Sequence, residues 1–576
     1  MKITATEKIA RSSFGRVVTA VSLALIFTAP TFSQKEAPVV SCESLAKLDL
    51  PEVKITMAQP VAAGQFKEPS SDGPGGPGGP SAAGGSPAAG PRMGGASGGM
   101  TGPFPDADKS SLPAFCRVVA TLKPSGDSNI QLELWLPLTN WNGKFMGSGN
   151  WGWAGSVRYD GLSLGIKNGY AVESNDTGHT NADGQNGDFA IGHPDKVIDY
   201  GWRANHVSTL ISKAIAKAYY GTGPKHSYWL GCSLGGQQGM TEIQRFPQDY
   251  DGAVIGQPAW PIINLNAAQI WPTLLHRQNP AGVMSAAKST MVQEVIKKQC
   301  ATPVDLELGY LEDPPSCKFD PQTLLCKDAD APDCLSQPQI DMLVTQHNGL
   351  KNPRTGQPIT YPTDGWGGGS GFTTAAASSG PAAGGAGPGG PGSGAGGPGG
   401  AASGSAPREE QPMGVATGLF KNLVFQDPNW DWKTLDMDKD LAFAEKVLAT
   451  VNTANNPNLK PFFDHGGKLI LYEIGPDTLN YYKQVLKTVG PAANNSIRAF
   501  YMQGMAHCGG GVGCDTFDKL GVIDQWVEGG PAPDRITAVK SSDAKVTHPI
   551  CAYPMIAKYK GTGDVKSAES FVCAER

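Results

Sequence analysis

The sequence lacks the excess of basic residues that nucleic-acid-binding proteins carry. Its 47 lysines and arginines are outnumbered by 52 aspartates and glutamates, so the net charge at pH 7 is −5. A chain with this balance does not offer the basic surface that binds a phosphate backbone. We therefore expect no nucleic-acid partner.

Apolar runs long enough to span a membrane are also lacking. Residues 1–33 combine a basic start, the apolar run Val17–Phe27 and small residues near Ser33, which is typical of a secretory signal peptide. That run is too short for an ordinary membrane-spanning helix, and no later stretch is long enough. The sequence predicts an exported protein, secreted or periplasmic, without a membrane span.

Zinc-finger spacing is missing among the 11 cysteines. Disulfides are therefore the better interpretation than metal ligands, and they suit an oxidising compartment. Because the count is odd, one thiol is left over.

Two segments are dominated by Gly, Pro, Ala and Ser, at residues 70–103 and 367–407. Such a composition cannot bury enough apolar surface to offset the entropy lost on ordering. We interpret both as flexible surface insertions without chemistry. A binding role is the alternative, which composition alone does not support.

Strand and helix signals alternate through the rest of the chain. Strict alternation of apolar residues over Ile130–Leu136 predicts a half-buried strand. Apolar residues at helical spacing from Val207 to Ala218 predict a helix whose buried face includes Leu210. The other predicted strands are Lys144–Gly149, Tyr170–Glu173, His226–Leu230, Gly252–Gly256, Lys468–Glu473 and Arg498–Gln503. This order predicts a doubly wound, mostly parallel α/β sheet.

The segment Gly231–Gly235 fits the pattern G-x-S-x-G around Ser233. This pattern forms a strand-turn-helix elbow that exposes a nucleophilic serine. The flanks agree, because a predicted strand precedes it and a helix over Gly235–Phe246 follows it. The alternative is an ordinary glycine-rich loop.

A serine nucleophile needs a base that takes its proton and an acid that orients the base. α/β-Hydrolases place them in the chain order Ser, Asp or Glu, His. Asp477 and His507 each follow a predicted strand, at the strand ends where ligand chemistry lies. We predict a triad of Ser233, Asp477 and His507, with Glu473 as the weaker alternative acid.

Two cysteines adjoin the predicted nucleophile and base. Cys232 precedes Ser233 and Cys508 follows His507. If the serine and histidine hydrogen-bond, the two cysteine Cα atoms fall within the ~4.4–6.8 Å that a disulfide spans. We predict a Cys232–Cys508 disulfide; the alternative is two unrelated buried cysteines.

The strand pattern breaks between about 260 and 430, where four cysteines and one low-complexity segment lie. We interpret residues 260–430 as a lid domain inserted into an α/β-hydrolase domain. Residues 34–259 and 431–576 form the two parts of that domain.

The series Cys-Ser, Asp and His-Cys resembles the tannase/feruloyl esterase family, which also includes mono(2-hydroxyethyl) terephthalate hydrolase. The resemblance extends to Trp141–Gly155, Ser174–Thr180 and the carboxyl-terminal Cys551–Pro554. It implies an α/β-hydrolase with a lid and the same triad. It also implies the disulfides Cys42–Cys116, Cys300–Cys317, Cys326–Cys334 and Cys551–Cys573, with Cys514 free.

The chain departs from the family pattern in the lid. Members usually carry a calcium loop after a cysteine, but here Ala301, Val304 and Leu308 occupy the expected carboxylate positions after Cys300. Calcium needs several oxygen ligands, so we expect that this site is lost and that no metal or other cofactor is used.

The loop after strand Lys144–Gly149 also departs, because Trp151 stands where the family usually has glycine. The resemblance implies that this loop supplies an oxyanion-hole amide. We predict the hole from the backbone N–H of Leu234 and one from the range Gly149–Gly152, with Gly149 and Gly152 as the named candidates.

Together these features predict a serine esterase that acts through an acyl-enzyme. The family resemblance implies that its substrates are small aromatic esters, of hydroxybenzoic or hydroxycinnamic acids. The residues that could contact an aromatic acyl group are Trp260, Trp366, Phe372, Phe420 and Phe425; packing within the lid is equally expected for them. One alternative is a hydrolase of other esters or amides, such as acetylated polysaccharide. The other is a non-catalytic binding protein on the same fold.

Overall fold

The computed structural model describes residues 38–69, 111–180, 186–363, 365–368, 410–449, 451, 454–473 and 475–576. The predicted signal peptide, the insertion at 70–103, the insertion at 367–407 apart from Gly367 and Gly368, and Phe372 lie outside the described residues.

A nine-stranded sheet forms the centre of the protein. Its strands are β1 (Val53–Val61), β2 (Phe115–Leu122), β3 (Ile130–Pro137), β4 (Lys144–Ser148), β5 (Ala171–Asn175), β6 (His226–Cys232), β7 (Gly252–Gly256), β8 (Lys468–Tyr472) and β9 (Ile497–Phe500). Their order is β1-β2-β3-β5-β4-β6-β7-β8-β9. The pairs from β1 to β5 are antiparallel, and those from β5 through β4 to β9 are parallel. The predicted α/β class with a mostly parallel sheet is confirmed.

Helices flank this sheet and fill the chain between β7 and β8. They are α1 (Tyr159–Lys167), α2 (Pro194–Ile198), α3 (Ala204–Tyr220), α4 (Leu234–Arg245), α5 (Ile262–Gln278), α6 (Ala286–Cys300), α7 (Pro303–Leu308), α8 (Gln337–His347), α9 (Gly414–Gly418), α10 (Lys439–Leu448), α11 (Lys460–Asp464), α12 (Pro476–Val489) and α13 (Lys519–Val527). Two π-helical segments cover Asp199–Arg203 and Leu419–Val424. No helix in these ranges is both long and apolar enough to cross a membrane.

Two antiparallel hairpins follow α13, and the sequence did not predict them. They pair β10 (Arg535–Lys540) with β11 (Asp543–Cys551), and β12 (Ile556–Tyr559) with β13 (Phe571–Ala574).

The prediction that β3 is half-buried was wrong, because all eight of its residues are buried. Its polar side chains can be buried because they are paired with other polar groups. Glu133 accepts hydrogen bonds from Arg117 Nε (2.6 Å) and Trp135 Nε1 (2.7 Å). A carboxylate that is paired and hydrogen-bonded can be buried at much lower cost than an isolated one.

The predicted inward face of α3 was also wrong. The error is partial, because Ile215 is buried as predicted, but Leu210 is 47% exposed and Ser208, Thr209 and Ser212 are buried instead. Thr209 Oγ1 hydrogen-bonds the Tyr250 hydroxyl at 2.6 Å. The helix therefore turns a polar face towards the sheet, which a pattern of apolar residues cannot indicate.

Candidate active site

Strand β6 ends in a sharp turn that carries Ser233 into α4. Ser233 has φ 59° and ψ −121°, a conformation that is strained for a residue other than glycine. Backbone hydrogen bonds fix it: Ser233 N–H donates to Gly256 O (3.1 Å), and Ala259 N–H donates to Ser233 O (2.8 Å). These contacts define a strand-turn-helix elbow at the carboxyl edge of the sheet, with the geometry that was predicted for a nucleophilic serine.

The glycines of the elbow are required by close packing as well as by the turn. A Cβ on Gly149 would lie 2.5 Å from Gly235 Cα, and one on Gly231 would meet the Gly235 carbonyl. Gly235 N–H donates to Asn150 O at 2.8 Å. The elbow and the loop after β4 are therefore in direct backbone contact.

This packing corrects one predicted oxyanion donor. Gly149 N–H donates to Leu230 O (2.9 Å), and Asn150 N–H donates to Gln238 Oε1 (2.9 Å), so neither amide is available to a substrate. Leu234 N–H opens α4, where a helix leaves its first amides without intrahelical partners. Trp151 and Gly152 remain as predicted donors of this loop; Gly152 is exposed and at φ 52°.

His507 lies in the loop after β9. The disulfide Cys232–Cys508, with a Cα–Cα distance of 5.9 Å, joins this loop to the elbow. Burial lowers the pKa of His507, which favours the neutral imidazole that a general base requires. His507 Nδ1 contacts the Gln257 amide oxygen. Within the described residues, no hydrogen bond joins Ser233 Oγ to His507.

The two candidate acids occupy different positions. Asp477 is the second residue of α12, and its Oδ1 accepts the backbone N–H of Tyr361 at 2.9 Å; burial raises its pKa. Glu473 follows β8 at φ 53° and accepts the Cys508 N–H at 3.0 Å. Burial raises the pKa of Glu473 to about 8. In the part of the chain that the structure describes, neither carboxylate hydrogen-bonds His507.

Sequence reasoning missed Gln257, which contacts the imidazole. It directly follows β7, and its N–H donates to Tyr472 O at 3.1 Å. Its place at a strand end is the same signal that identified Asp477 and His507, but glutamine has no standard role in a triad and therefore did not stand out.

A cleft of about 460 Å³ lies beside these strand-end loops. From the loops it is lined by Gln257 and Glu473, and from the lid segment (residues 260–430) by Trp366 and His347, whose rings stack 3.8 Å apart. The other lining residues include apolar side chains and amides: Val292, Ile296, Leu343, Met502, Met505, Gln293, Gln346 and Gln503. The cleft offers an aromatic wall and neutral hydrogen-bonding groups.

Of the five aromatic residues considered for substrate contact, Trp366 lines this cleft. Trp260 is buried against Tyr481, with ring centroids 4.4 Å apart. Phe420 is fully buried, and Phe425 packs on Phe443. Those three belong to packing clusters.

The structure contains five disulfides, and Cys514 is the free, buried cysteine. Besides Cys232–Cys508, they are Cys42–Cys116, Cys300–Cys317, Cys326–Cys334 and Cys551–Cys573.

The residues after Cys300 do not fit a calcium cage. They form the short helix α7, and Thr302 and Asp305 make a capping box at its start. Asp305 Oδ2 accepts from Thr302 N–H (2.8 Å), and its Oδ1 accepts from Glu312 N–H (2.9 Å). The buried carboxylate is thus already used to hold the backbone, and Glu307 is exposed.

Residues 116–574 match the family model described as tannase and feruloyl esterase, and the chain belongs to this family. It is a carboxylic ester hydrolase, whose family implies a small-molecule ester substrate.

Individual relatives agree with this assignment. The chain is 30% identical to an uncharacterised esterase of Xanthomonas campestris pv. campestris, over 93% of this chain and 91% of that protein. It is 29% identical to mono(2-hydroxyethyl) terephthalate hydrolase of Piscinibacter sakaiensis, over 81% and 86%. The crystal structure of feruloyl esterase B from Aspergillus oryzae superposes with a TM-score of 0.72 at 26% identity, covering 92% of this chain and 99% of that one.

Removal of the Cys232–Cys508 disulfide is expected to affect both stability and catalysis. The double variant Cys232→Ser/Cys508→Ser should lose about 2–5 kcal/mol of unfolding free energy in urea titrations. Its kcat should fall by about 10²-fold, the cost of a ~1 Å displacement of a catalytic group.

The matched control is Cys326→Ser/Cys334→Ser in the lid segment. This disulfide closes a sequence separation of 8 residues rather than 276, so its loss should cost less stability and leave kcat unchanged. Equal kcat in both double variants would show that the Cys232–Cys508 disulfide has no catalytic role.

Proposed function

We propose that this protein is an exported serine esterase that hydrolyses esters of aromatic acids through Ser233, His507 and Asp477. The observation that carries the proposal is the disulfide that joins the strained elbow of Ser233 to the loop of His507. The relatives named as feruloyl esterase and terephthalate ester hydrolase support an aromatic acyl group. The five disulfides and the signal-like residues 1–33 support export.

In the proposed reaction, Ser233 Oγ attacks the ester carbonyl while His507 Nε2 takes the serine proton. The N–H of Leu234 and a loop amide at Trp151 or Gly152 stabilise the oxyanion, each donor being worth about 10²–10³ in rate. His507 then protonates the leaving alcohol, and water activated by His507 hydrolyses the acyl-enzyme. Catalytic hydrogen bonds often tighten only when substrate binds, which is how the serine and histidine would come into contact.

Asp477 is proposed to bind His507 Nδ1 and hold the imidazole. For that contact, the Gln257 side chain must leave Nδ1 and Asp477 must leave the Tyr361 N–H. A carboxylate at Nδ1 stabilises the imidazolium that forms in the transition state, which an amide oxygen does less well.

The aromatic wall of Trp366 is proposed to bind the acyl ring, since offset stacking and area burial both favour an aromatic partner. The amide groups of the cleft would hydrogen-bond ring hydroxyls.

Ser233→Ala should abolish ester hydrolysis while leaving the fold intact, because it removes only the attacking oxygen. The assay uses methyl ferulate, methyl gallate, mono(2-hydroxyethyl) terephthalate and p-nitrophenyl acetate, with circular dichroism as the folding control. Turnover that persists in the variant would exclude the triad. Wild-type activity confined to p-nitrophenyl acetate would contradict the aromatic acyl preference.

The two acids are separated by isosteric variants. Asp477→Asn should lower kcat by about three to four orders of magnitude. Glu473→Gln should keep kcat within about tenfold of the wild-type value, because the glutamine amide oxygen can still accept the Cys508 N–H. The reverse ranking would assign the acid to Glu473 instead.

Ester hydrolysis should persist at pH values below 6.5. The base works as neutral imidazole, so kcat/KM falls as the pH drops through the pKa of His507, which burial holds below its usual value of about 6.5. A profile of kcat/KM against pH with methyl ferulate measures this limb. A midpoint of this limb above pH 6.5 would contradict the prediction. It would mean that a neighbouring carboxylate raises the pKa of His507 by more than burial lowers it.

Calcium should not stabilise the lid segment. Adding CaCl2 to metal-free protein is expected to leave Tm unchanged, because Asp305 already caps α7. Asp305→Ala should lower the unfolding free energy by about 1 kcal/mol or more through loss of this cap. A Tm that rises with CaCl2 in the wild type would refute the loss of the calcium site.

A further inference from the structure

A cluster of ligand-type side chains lies at the opposite end of α4 from Ser233, where α3 meets the last turn of α4. His206 comes from α3, Glu242 from α4 and Asp249 from the turn after it. One ligand atom from each lies within 4.8 Å of the other two. His206 Nδ1 and Asp249 Oδ2 are 2.7 Å apart.

Glu242 makes this cluster unusual. It is fully buried, and neither of its carboxylate oxygens has a hydrogen-bond partner among the described residues. Buried charges in proteins are paired or coordinate metals, and an unsatisfied buried group requires a specific explanation.

The nearby basic side chains do not supply the missing partner. Lys213 Nζ donates to the backbone carbonyl of Asp249 and lies 5.2 Å from the centre of the Tyr250 ring. Arg245 instead packs over Trp202, 4.7 Å from its ring centre.

We propose that His206, Glu242 and Asp249 form a structural zinc site. One imidazole and two carboxylates neutralise a divalent ion, and this mixed N/O donor set suits zinc, whereas calcium prefers oxygen alone. The ion would take the place of the proton between His206 Nδ1 and Asp249 Oδ2, which are 2.7 Å apart. These two atoms need to separate only to about 3.3 Å, the distance between two ligand atoms of a tetrahedral zinc ion with ~2.0–2.1 Å bonds. Water supplies the fourth ligand.

The site is reachable from solvent. The side chains of His206 and Asp249 are 20% and 10% exposed, so they form a rim over the buried Glu242. A bound ion would fasten α3 to the far end of the helix that starts at the elbow, and would therefore stabilise the fold without taking part in the reaction.

The test measures zinc in the full-length, oxidised protein after removal of any affinity tag. Metal-stripped wild type is reloaded with ZnSO4 and desalted, and zinc is quantified by mass spectrometry. We expect one zinc per chain, a Tm that rises with ZnSO4 concentration, and visible d–d absorption when Co²⁺ replaces zinc.

Glu242→Gln is the decisive variant, because it keeps the shape and removes the ligand charge. It should lose the bound zinc, the Co²⁺ band and the Tm response. His226→Gln is the matched control: His226 faces Asp251 at 3.9 Å and belongs to no three-ligand cluster of the described residues. This variant should retain all three signals.

Equal zinc content in wild type and Glu242→Gln, or a wild type without a Co²⁺ band or Tm response, would overturn the proposal. A Glu242→Gln variant that is more stable than metal-free wild type, with no zinc in either, would show that Glu242 is simply a protonated buried acid.

Discussion

The active site depends on a covalent tie between two strained turns. Ser233 at φ 59° and Cys508 at φ 66° both occupy backbone conformations that side chains disfavour. The Cys232–Cys508 disulfide holds these turns together across 276 residues of sequence. In the proposed mechanism, much of the conformational entropy of bringing Ser233 and His507 near each other is therefore lost when the protein folds rather than when the substrate binds.

The second constraint is the polar interior of the sheet region. Glu133, Glu173 and Glu242 are all buried, and they differ in the partners that offset the free-energy cost of burying a carboxyl group. Glu133 is paired with Arg117 at 2.6 Å. The pKa of Glu173 is raised by burial to about 8, and its Oε1 accepts a hydrogen bond from Thr209 Oγ1 at 3.3 Å. Burial raises the pKa of Glu242 as well, and Glu242 alone of the three has no hydrogen-bond partner among the described residues, which the proposed zinc ion would supply.

The sequence predicted the features that follow from local backbone geometry. Glycine spacing located the elbow, and apolar runs located the parallel strands to within a few residues. It failed where burial depends on pairing between distant elements. The polar face of α3 and the full burial of β3 are set by partners such as Tyr250 and Arg117, which apolar periodicity does not register.

The same limit applies within the site. Asp477 follows β8 as predicted, in the first turn of α12, but its hydrogen-bond partner is the Tyr361 backbone, 116 residues away in sequence. No local pattern encodes that contact. The same holds for Gln257, whose approach to His507 depends on the order of strands in the sheet.

In the proposed mechanism, the contact between Tyr361 and Asp477 would also link specificity to catalysis. Tyr361 and Trp366 belong to one short stretch of the lid segment; its first residue holds the proposed acid, and its last walls the cleft. Because a bound acyl ring would press on Trp366, and the proposed acid would have to leave Tyr361 before it could reach His507, displacement of Trp366 and Tyr361 would affect both. Substrate fit at the aromatic wall would thus assist the step that completes the triad, so that part of the binding energy is expressed in kcat rather than in KM.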